Sequence, residues 1–282
     1  MAWYDRLLAV DRRWIYLILA VAVVIPAIWT MHIPVSLSSE VENVFERVSG
    51  IQDGKIMFLA IDYDPSTMAE LSPMAEAILR QVFRQNGRVV LSSLSQFGPA
   101  MTDEIMTRIA GEMGKVSGED YVFLGYKPYP AITILAMGTD FRVPFPTDYY
   151  GDRVDDHPMM AGVHNFDDVE FVLSLAGGNA ADMWIVYGNA KYGVPLALGV
   201  TGVMATDYYP YLQSGQLFGL LPGIKGAAEY EQLNESPGDG LRGIPYQTTS
   251  HAVVLVFIVL TNIAFFAKRS AQRKHGMQAG LS

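Results

Sequence analysis

Sixteen consecutive uncharged, mostly apolar residues near the carboxyl terminus constrain the fold more than any other feature of this chain. The run covers residues 252–267 and is followed directly by Lys268 and Arg269. A helix over this run, extended back by one residue, approaches the ~20 residues that are needed to cross the apolar core of a bilayer. We therefore predict a transmembrane helix over residues 251–267 and a basic tail over residues 268–282.

A second apolar run lies near the amino terminus. Residues 14–31 contain no charge, and Trp14 and Trp29 lie near its ends, where aromatic side chains favour the membrane interface. A cleaved signal peptide is the alternative interpretation, but the run is long for a signal peptide and no small-x-small cleavage site follows it. We predict a second transmembrane helix over residues 14–31.

The basic residues of both termini lie just outside the two apolar runs. Because positively charged flanks of membrane spans stay in the cytoplasm, the tails at residues 1–13 and 268–282 are predicted to be cytoplasmic. Residues 32–240 then form an extracytoplasmic domain, which a linker over residues 241–250 joins to the second span. The prediction is a two-pass protein of the cell membrane.

The charge of the central region argues against several classes of partner and site. Residues 31–250 carry 13 basic and 27 acidic side chains, a formal charge of −14. An acidic surface repels the phosphate backbone of nucleic acids, so no nucleic-acid partner is expected. The chain contains no cysteine, which excludes disulfides, zinc sites built from thiolates and cysteine nucleophiles.

Short apolar segments alternate with helical segments through most of the central region. Continuous apolar runs of this length predict strands that are covered on both faces. The runs are residues 56–61, 88–92, 121–124, 170–175 and 195–200. Helices are predicted between them, among others from the Thr67 capping box to Gln85, from Thr102 to Met113, and over residues 180–187. This alternation predicts a Rossmann-like α/β fold, in which an open, mostly parallel sheet carries helices on both faces.

Two segments of the central region do not follow this alternation. Residues 139–168 are irregular and rich in proline and acidic residues, which is typical of a functional loop or an interaction surface. Residues 193–224 contain a single charge, Asp207. A buried helix is predicted over residues 208–221, and the alternative is a membrane-embedded segment that extends to residue 224.

Polar residues and glycines directly follow several of the predicted strands. Parallel strands end at one edge of a sheet, and ligands bind at that edge in folds of this kind. The candidate ligand-binding residues are Ser92, Ser93, Gly177, Gly178, Asn179, Thr201 and Asp207. Asp62 and Asp64, after the first strand, share this predicted neighbourhood. The short glycine pair favours a plain turn over an anion-binding loop.

An Asp-Tyr-Asp-Pro-Ser-Thr sequence directly follows the first predicted strand. An apolar strand that ends in Asp-x-Asp resembles the first motif of the haloacid-dehalogenase-type phosphohydrolases. The resemblance implies that Asp62 is the nucleophile on phosphorus and that Asp64 is the general acid/base. It also implies that Ser92 binds the phosphate and that Asp152 and Asp156 hold a Mg²⁺ cofactor.

Three functions are compatible with the sequence, and the first is favoured. The favoured function is a non-catalytic scaffold without a cofactor, a membrane-anchored domain that forms a homo-oligomer or binds other membrane proteins. It is favoured because the chain is tethered at both ends and contains no complete catalytic set. The alternatives are a Mg²⁺-dependent phosphohydrolase and a sensor that binds a small molecule or a sugar at the sheet edge.

Overall fold

The computed structural model describes residues 2–29 and 33–279 of the chain. These residues divide into two compact units. The α/β unit comprises Val35–Arg242, and the helical unit comprises the described residues before and after it.

A six-stranded parallel sheet forms the centre of the α/β unit. Its strands are β1 (Ile56–Asp62), β2 (Arg88–Ser93), β3 (Tyr121–Tyr126), β4 (Val172–Ala176), β5 (Leu196–Val200) and β6 (Gly219–Pro222). Their order in the sheet is β3-β2-β1-β4-β5-β6, so the direction of winding reverses between β1 and β4. The predicted parallel, Rossmann-like sheet is confirmed. Its first five strands correspond to the five apolar runs that predicted strands.

The helices are numbered along the chain. They are α1 (Trp3–Leu8), α2 (Arg12–Ile28), α3 (Ser39–Ser49), α4 (Met68–Arg84), α5 (Gly98–Met113), α6 (Pro130–Met137), α7 (Ala180–Met183), α8 (Ala190–Tyr192), α9 (Ala205–Gln213), α10 (Gly223–Leu233) and α11 (Asp239–Ala279). A π-helical segment, Trp184–Asn189, joins α7 to α8.

The sheet separates two apolar cores. Helices α3, α4, α5 and α10 pack against one face, where β1 contributes Leu59 and Ile61. Helices α6 and α9 and the helical segment after β4 pack against the other face, where β1 contributes Phe58 and Ala60. Since successive residues of a strand point to opposite faces, a strand between two cores must be apolar throughout. All seven residues of β1 are buried, and the predicted helices on both faces are confirmed.

The irregular segment between α6 and β4 replaces a helix on the second face. Its apolar side chains, including Phe141, Phe145 and Phe166, are buried in the second core. Arg142 fastens the segment by donating to the carbonyl oxygens of Val163 at 2.7 Å and Met160 at 3.0 Å. The sequence predicted a functional loop or an interaction surface here. Most of the apolar side chains of the segment instead pack in the second core.

The predicted helix over residues 208–221 is wrong in its second half. Helix α9 ends at Gln213, and Gly215 follows in the left-handed conformation with φ at +77°. Gly219–Pro222 is then the edge strand β6, paired in parallel with β5. The membrane-embedded alternative is overturned as well, because this segment belongs to the sheet. The run lacks charge because most of β6 is buried, and a strand this short has no periodicity to distinguish it from a helix.

Two other helices differ from the predicted bounds. Helix α5 begins at Gly98, so Thr102 lies inside it and its hydroxyl donates to the Gly98 carbonyl oxygen at 2.8 Å instead of capping the helix. The helical segment after β4 continues past Gly188 as a π-helix and ends at Gly193, where φ is +70°. Glycine inside a helix weakens it by only ~1 kcal/mol, which surrounding contacts offset.

The helical unit contains α1, α2 and most of α11. Within it, the Thr249 hydroxyl donates to the Ala22 carbonyl oxygen at 2.9 Å, and Lys268 forms an ion pair with Asp5 at 3.0 Å. These contacts join α11 to α2 and α1.

One helix of the described residues, α11, is long and apolar enough over Asp239–Arg273 to cross a membrane. Helix α2 has 17 residues and ends at Ile28, and residues 30–32 near the end of the predicted first span lie outside the described residues. Two membrane helices were predicted, and one candidate is found among the described residues. Residues 241–250, predicted to be a linker, belong to α11 because the helix already begins at Asp239.

Candidate functional site

A small crevice lies at the carboxyl ends of β1 and β4, where the strand order reverses. Its volume is about 160 Å³, and five of the predicted site residues line it: Asp62, Asp64, Gly177, Gly178 and Asn179. A reversal of strand order separates the two flanking loops, which is why ligands bind at this position in open parallel sheets. These five residues therefore lie together at one edge of the sheet, as predicted.

Asp62 is the last residue of β1 and is almost completely buried. Its carboxylate accepts hydrogen bonds from the Leu94 backbone N–H at 2.6 Å, the Trp184 indole N–H at 3.1 Å and the Ser174 hydroxyl at 3.4 Å. Burial raises the pKa of this carboxyl to about 6, and the three hydrogen bonds partly oppose that rise. Asp62 thus ties β1 to β2, to β4 and to the π-helical segment, and it changes charge near pH 6.

Asp64 forms a local turn. Its carboxylate accepts hydrogen bonds from the Ser66 hydroxyl at 2.6 Å and the Ser66 backbone N–H at 2.8 Å, and weaker ones from Thr67. These bonds, the Ser66 hydroxyl first, lower the pKa of Asp64. A carboxylate that bonds the backbone two residues on is the usual Asx turn, and here it leads into α4.

Gly177 allows the loops after β1 and β4 to approach each other closely. A Cβ atom at this position would lie 2.4 Å from the Thr67 hydroxyl oxygen, whereas a Cβ atom at Gly178 would meet nothing within 4 Å. Asn179 is exposed, and its side chain makes no capping bond to the helix that follows. Gly177 therefore permits close packing of the two loops, and Gly178 leaves the crevice open.

The two serines of β2 do not line the crevice. Ser92 is fully buried on the side of the sheet that faces the second core, and its hydroxyl has no hydrogen-bond partner among the described residues. Ser93 donates to the Ile61 carbonyl oxygen at 2.7 Å and to the Ser95 carbonyl oxygen at 3.0 Å. Both hydroxyls lie within the fold rather than at its surface.

Thr201 and Asp207 follow β5 and also lie outside the crevice lining. The loop between them is held by Glu70, whose carboxylate accepts the Gly202 backbone N–H at 2.8 Å. Asp207 is exposed in the first turn of α9. The predicted ligand-binding residues therefore lie in three places: in the crevice, within β2 and after β5.

The carboxylates implied by the phosphohydrolase resemblance do not form a metal site. Asp152 and Asp156 are exposed on the irregular segment, and no group of three or more histidine, aspartate or glutamate side chains that could hold a metal occurs in the part of the chain that the structure describes. The described residues of the crevice lining include Asp62 and Asp64 but no lysine, arginine or histidine. A phosphate placed there would depend on a bound cation for charge compensation, and Asp152 and Asp156, the carboxylates that the resemblance assigns to Mg²⁺, do not line the crevice.

Five large apolar side chains are exposed around the same edge of the sheet, and we call them the carboxyl rim. The exposed fractions are 41% for Met68, 49% for Phe97, 72% for Tyr129, 67% for Ile132 and 89% for Val203. Each lies in a loop or at a helix start that follows β1, β2, β3 or β5. Tyr129 has φ at +59°, a left-handed conformation that costs free energy for a residue with a side chain. This rim was not predicted from the sequence.

Comparison with protein-family models, with curated proteins and with solved structures finds no match for this chain.

Proposed function

We propose that this chain is a membrane-anchored, non-catalytic scaffold whose α/β unit binds a partner protein through the carboxyl rim. The carrying observation is the exposure of five large apolar side chains at one edge of the sheet. Large apolar residues that surround one site on a folded domain mark interaction surfaces, and aromatic residues are enriched in them. Helix α11 supplies the anchor, since it is long and apolar enough to cross a membrane.

The charge around the rim favours a different protein over a second copy of this chain. Asp64 and Asp207 lie at the same edge, and the central region as a whole carries a formal charge of −14. Two copies that met through this edge would bring like charges together, which costs free energy. We therefore propose a partner with an apolar centre and lysine or arginine residues around it.

Site-specific photocrosslinking in native membranes tests this proposal. Benzoylphenylalanine at Tyr129 or Ile132 is expected to give one discrete crosslinked species, identified by mass spectrometry. Val116 is the matched control, because it is 51% exposed but precedes β3, at the opposite edge of the sheet. An Ile132→Asp change in the chain labelled at Tyr129 should abolish the crosslink. Equal crosslinking from Val116, or a crosslink to a second copy alone, would contradict a heterologous partner.

A small-molecule sensor is the second candidate, because the crevice lies where ligands bind in parallel sheets. Its volume of about 160 Å³ is small for a sugar or a nucleotide, since ligand sites usually enclose ~300 Å³ or more. Native mass spectrometry of the purified chain would detect a retained ligand. Gly178→Phe, which fills open space at the crevice, should displace that ligand if this candidate holds.

A phosphohydrolase is the least supported of the three. Asp62 already accepts three hydrogen bonds, and the crevice offers no positive charge for a phosphate. The purified chain is expected to release no phosphate from an aryl phosphate in the presence of Mg²⁺. Release that Asp62→Asn abolishes would restore this function.

A further inference from the structure

A larger cavity lies on the side of the α/β unit, away from the carboxyl rim. Its volume is about 410 Å³, and it is bounded by α4, by α5 and by residues 236–242. Cavities of ~300–1,000 Å³ hold small-molecule ligands. We call it the arginine cavity, because four arginines line it: Arg80, Arg84, Arg108 and Arg242.

This concentration of positive charge stands out in an acidic unit. The four arginines are half of the eight arginines in residues 31–250. They come from three helices, with Arg80 and Arg84 one turn apart on α4, Arg108 on α5 and Arg242 on α11. Residues four apart on a helix lie on the same face, so the two guanidinium groups of α4 are directed to the same side.

Three carboxylates share the lining with the four arginines, so the described lining carries one more positive than negative formal charge. Arg108 is engaged by two carboxylates: it donates to both oxygens of Glu76 at 2.6 and 3.1 Å, and it pairs with Glu104, outside the lining, at 3.6 Å. Glu231 is buried, and both of its oxygens accept backbone N–H groups. Asp239 pairs with Arg242 at 3.2 Å, where both side chains are more than 70% exposed and screened by water.

Arg84 has no carboxylate partner among the residues that the structure describes. Its guanidinium donates to Asn234, at 3.1 Å to the side-chain oxygen and at 3.5 Å to the carbonyl oxygen. Arg80 reaches Glu112, which lies outside the cavity lining. A guanidinium group presents several donors in a planar fork that matches the oxygens of phosphate. A phosphate offers several acceptor oxygens, so it suits a cavity that is lined by guanidinium groups from three helices.

We propose that the arginine cavity binds a phosphate-bearing ligand, with Arg84 as the principal contact. A lipid headgroup and a soluble phosphate ester share this chemistry, and the experiment below distinguishes the two sources. The proposal is independent of partner binding at the carboxyl rim, because none of the rim residues lines this cavity.

Calorimetric titration of the full-length chain in neutral detergent tests the proposal with two probes, inorganic phosphate and short-chain phosphatidic acid. We expect saturable binding of at least one probe, with one site per chain. Binding of both identifies a soluble phosphate site, and binding of phosphatidic acid alone identifies a lipid headgroup. Arg84→Gln should weaken the affinity at least about tenfold, since it removes charge-assisted hydrogen bonds.

Arg153→Gln is the matched control, because Arg153 is 70% exposed and lies outside the cavity. The affinity of the Arg153→Gln variant for either probe should equal that of the unmodified chain. Unchanged thermal unfolding of Arg84→Gln without ligand shows that the variant is folded. The absence of saturable binding of either probe, or equal affinity of Arg84→Gln and the unmodified chain, would overturn the proposal.

Discussion

The indole N–H of Trp184 donates a hydrogen bond of 3.1 Å to the carboxylate of Asp62, and both side chains are buried. Trp184 is the first residue of the π-helical segment, and Asp62 is the last residue of β1. The helix that follows β4 is thereby fastened to the central strand of the sheet. The neutral donors offset only part of the cost of burying this carboxylate, which is why its pKa is raised.

Asp62→Asn should change how stability depends on pH. The pKa of Asp62 is about 6 in the folded chain, against an ordinary value of 3.8. Between these values the folded chain keeps a proton that the unfolded chain releases, so a rise in pH lowers stability. The free energy of unfolding of the unmodified chain, minus that of the variant, should fall by about 3 kcal/mol between pH 3 and pH 7.

Urea unfolding followed by the fluorescence of Trp184 measures this difference. Trp184 is the only tryptophan of the α/β unit, so the chain is prepared with phenylalanine at Trp3, Trp14 and Trp29. Asp207→Asn serves as the control, because it removes an exposed carboxylate instead of a buried one. A difference that stays flat across this pH range would show that burial does not raise the pKa of Asp62.

Gly177→Ala should destabilise the crevice, whereas Gly178→Ala should not. The added methyl at Gly177 would lie 2.4 Å from the Thr67 hydroxyl oxygen, which already bonds the Asp64 turn. Overpacking of this kind costs roughly 1–3 kcal/mol. At Gly178 nothing lies within 4 Å, so the same change should cost less than about 0.5 kcal/mol. Thermal unfolding of the two variants side by side measures the contrast, and equal midpoints would refute it.

Glu231→Gln should loosen the first turn of α11. The Glu231 carboxylate accepts the backbone N–H groups of Gly240 and Leu241 at 2.8 Å and of Gly238 at 2.9 Å. The glutamine side chain keeps one acceptor oxygen, but its NH₂ group would face backbone N–H donors that Glu231 now satisfies. Leaving those donors without an acceptor costs about 1–3 kcal/mol. Hydrogen exchange of residues 238–241 should accelerate about tenfold or more in the variant.

Asp239→Asn is the control for this change. Asp239 lies in the same turn, where its side chain forms an exposed ion pair with Arg242. Exposed pairs contribute little to stability, so exchange at Gly240 and Leu241 should stay at the unmodified rate. Equal acceleration in both variants would mean that Glu231 does not hold this helix start.

The sheet was predictable because its strands are buried on both faces. Five strands each appear as a short apolar run between turn residues, and the edge residues Asp62 and Gly177 then follow from parallel topology. Strand β6 was misread because four residues next to a helix carry no periodicity. The capping by Glu231 was not predictable, since it joins a residue of α10 to backbone N–H groups at the start of α11.

The side-chain environment of the site was less predictable than the position of its residues. Asp62 was correctly placed at the sheet edge, but its burial depends on Trp184, which is 122 residues away in the sequence. Asp152 and Asp156 were assigned to a metal through a short motif, without any signal that they approach Asp62. The carboxyl rim was missed because exposure is a property of the folded surface, and residues such as Ile132 look like core residues in the sequence.

Labelling of single introduced cysteines measures the number of membrane spans, because the chain contains no cysteine of its own. We expect Val116→Cys, at an exposed position of the α/β unit, to react with a membrane-impermeant maleimide in intact cells. Ala9→Cys and Gln272→Cys lie at exposed positions of the two ends and should react only after permeabilisation, since basic flanks favour the cytoplasm. This pattern requires two spans. Labelling of Ala9→Cys and Val116→Cys in intact cells, with Gln272→Cys protected, would instead leave α11 as the single span and place the amino-terminal helices on the same side as the α/β unit.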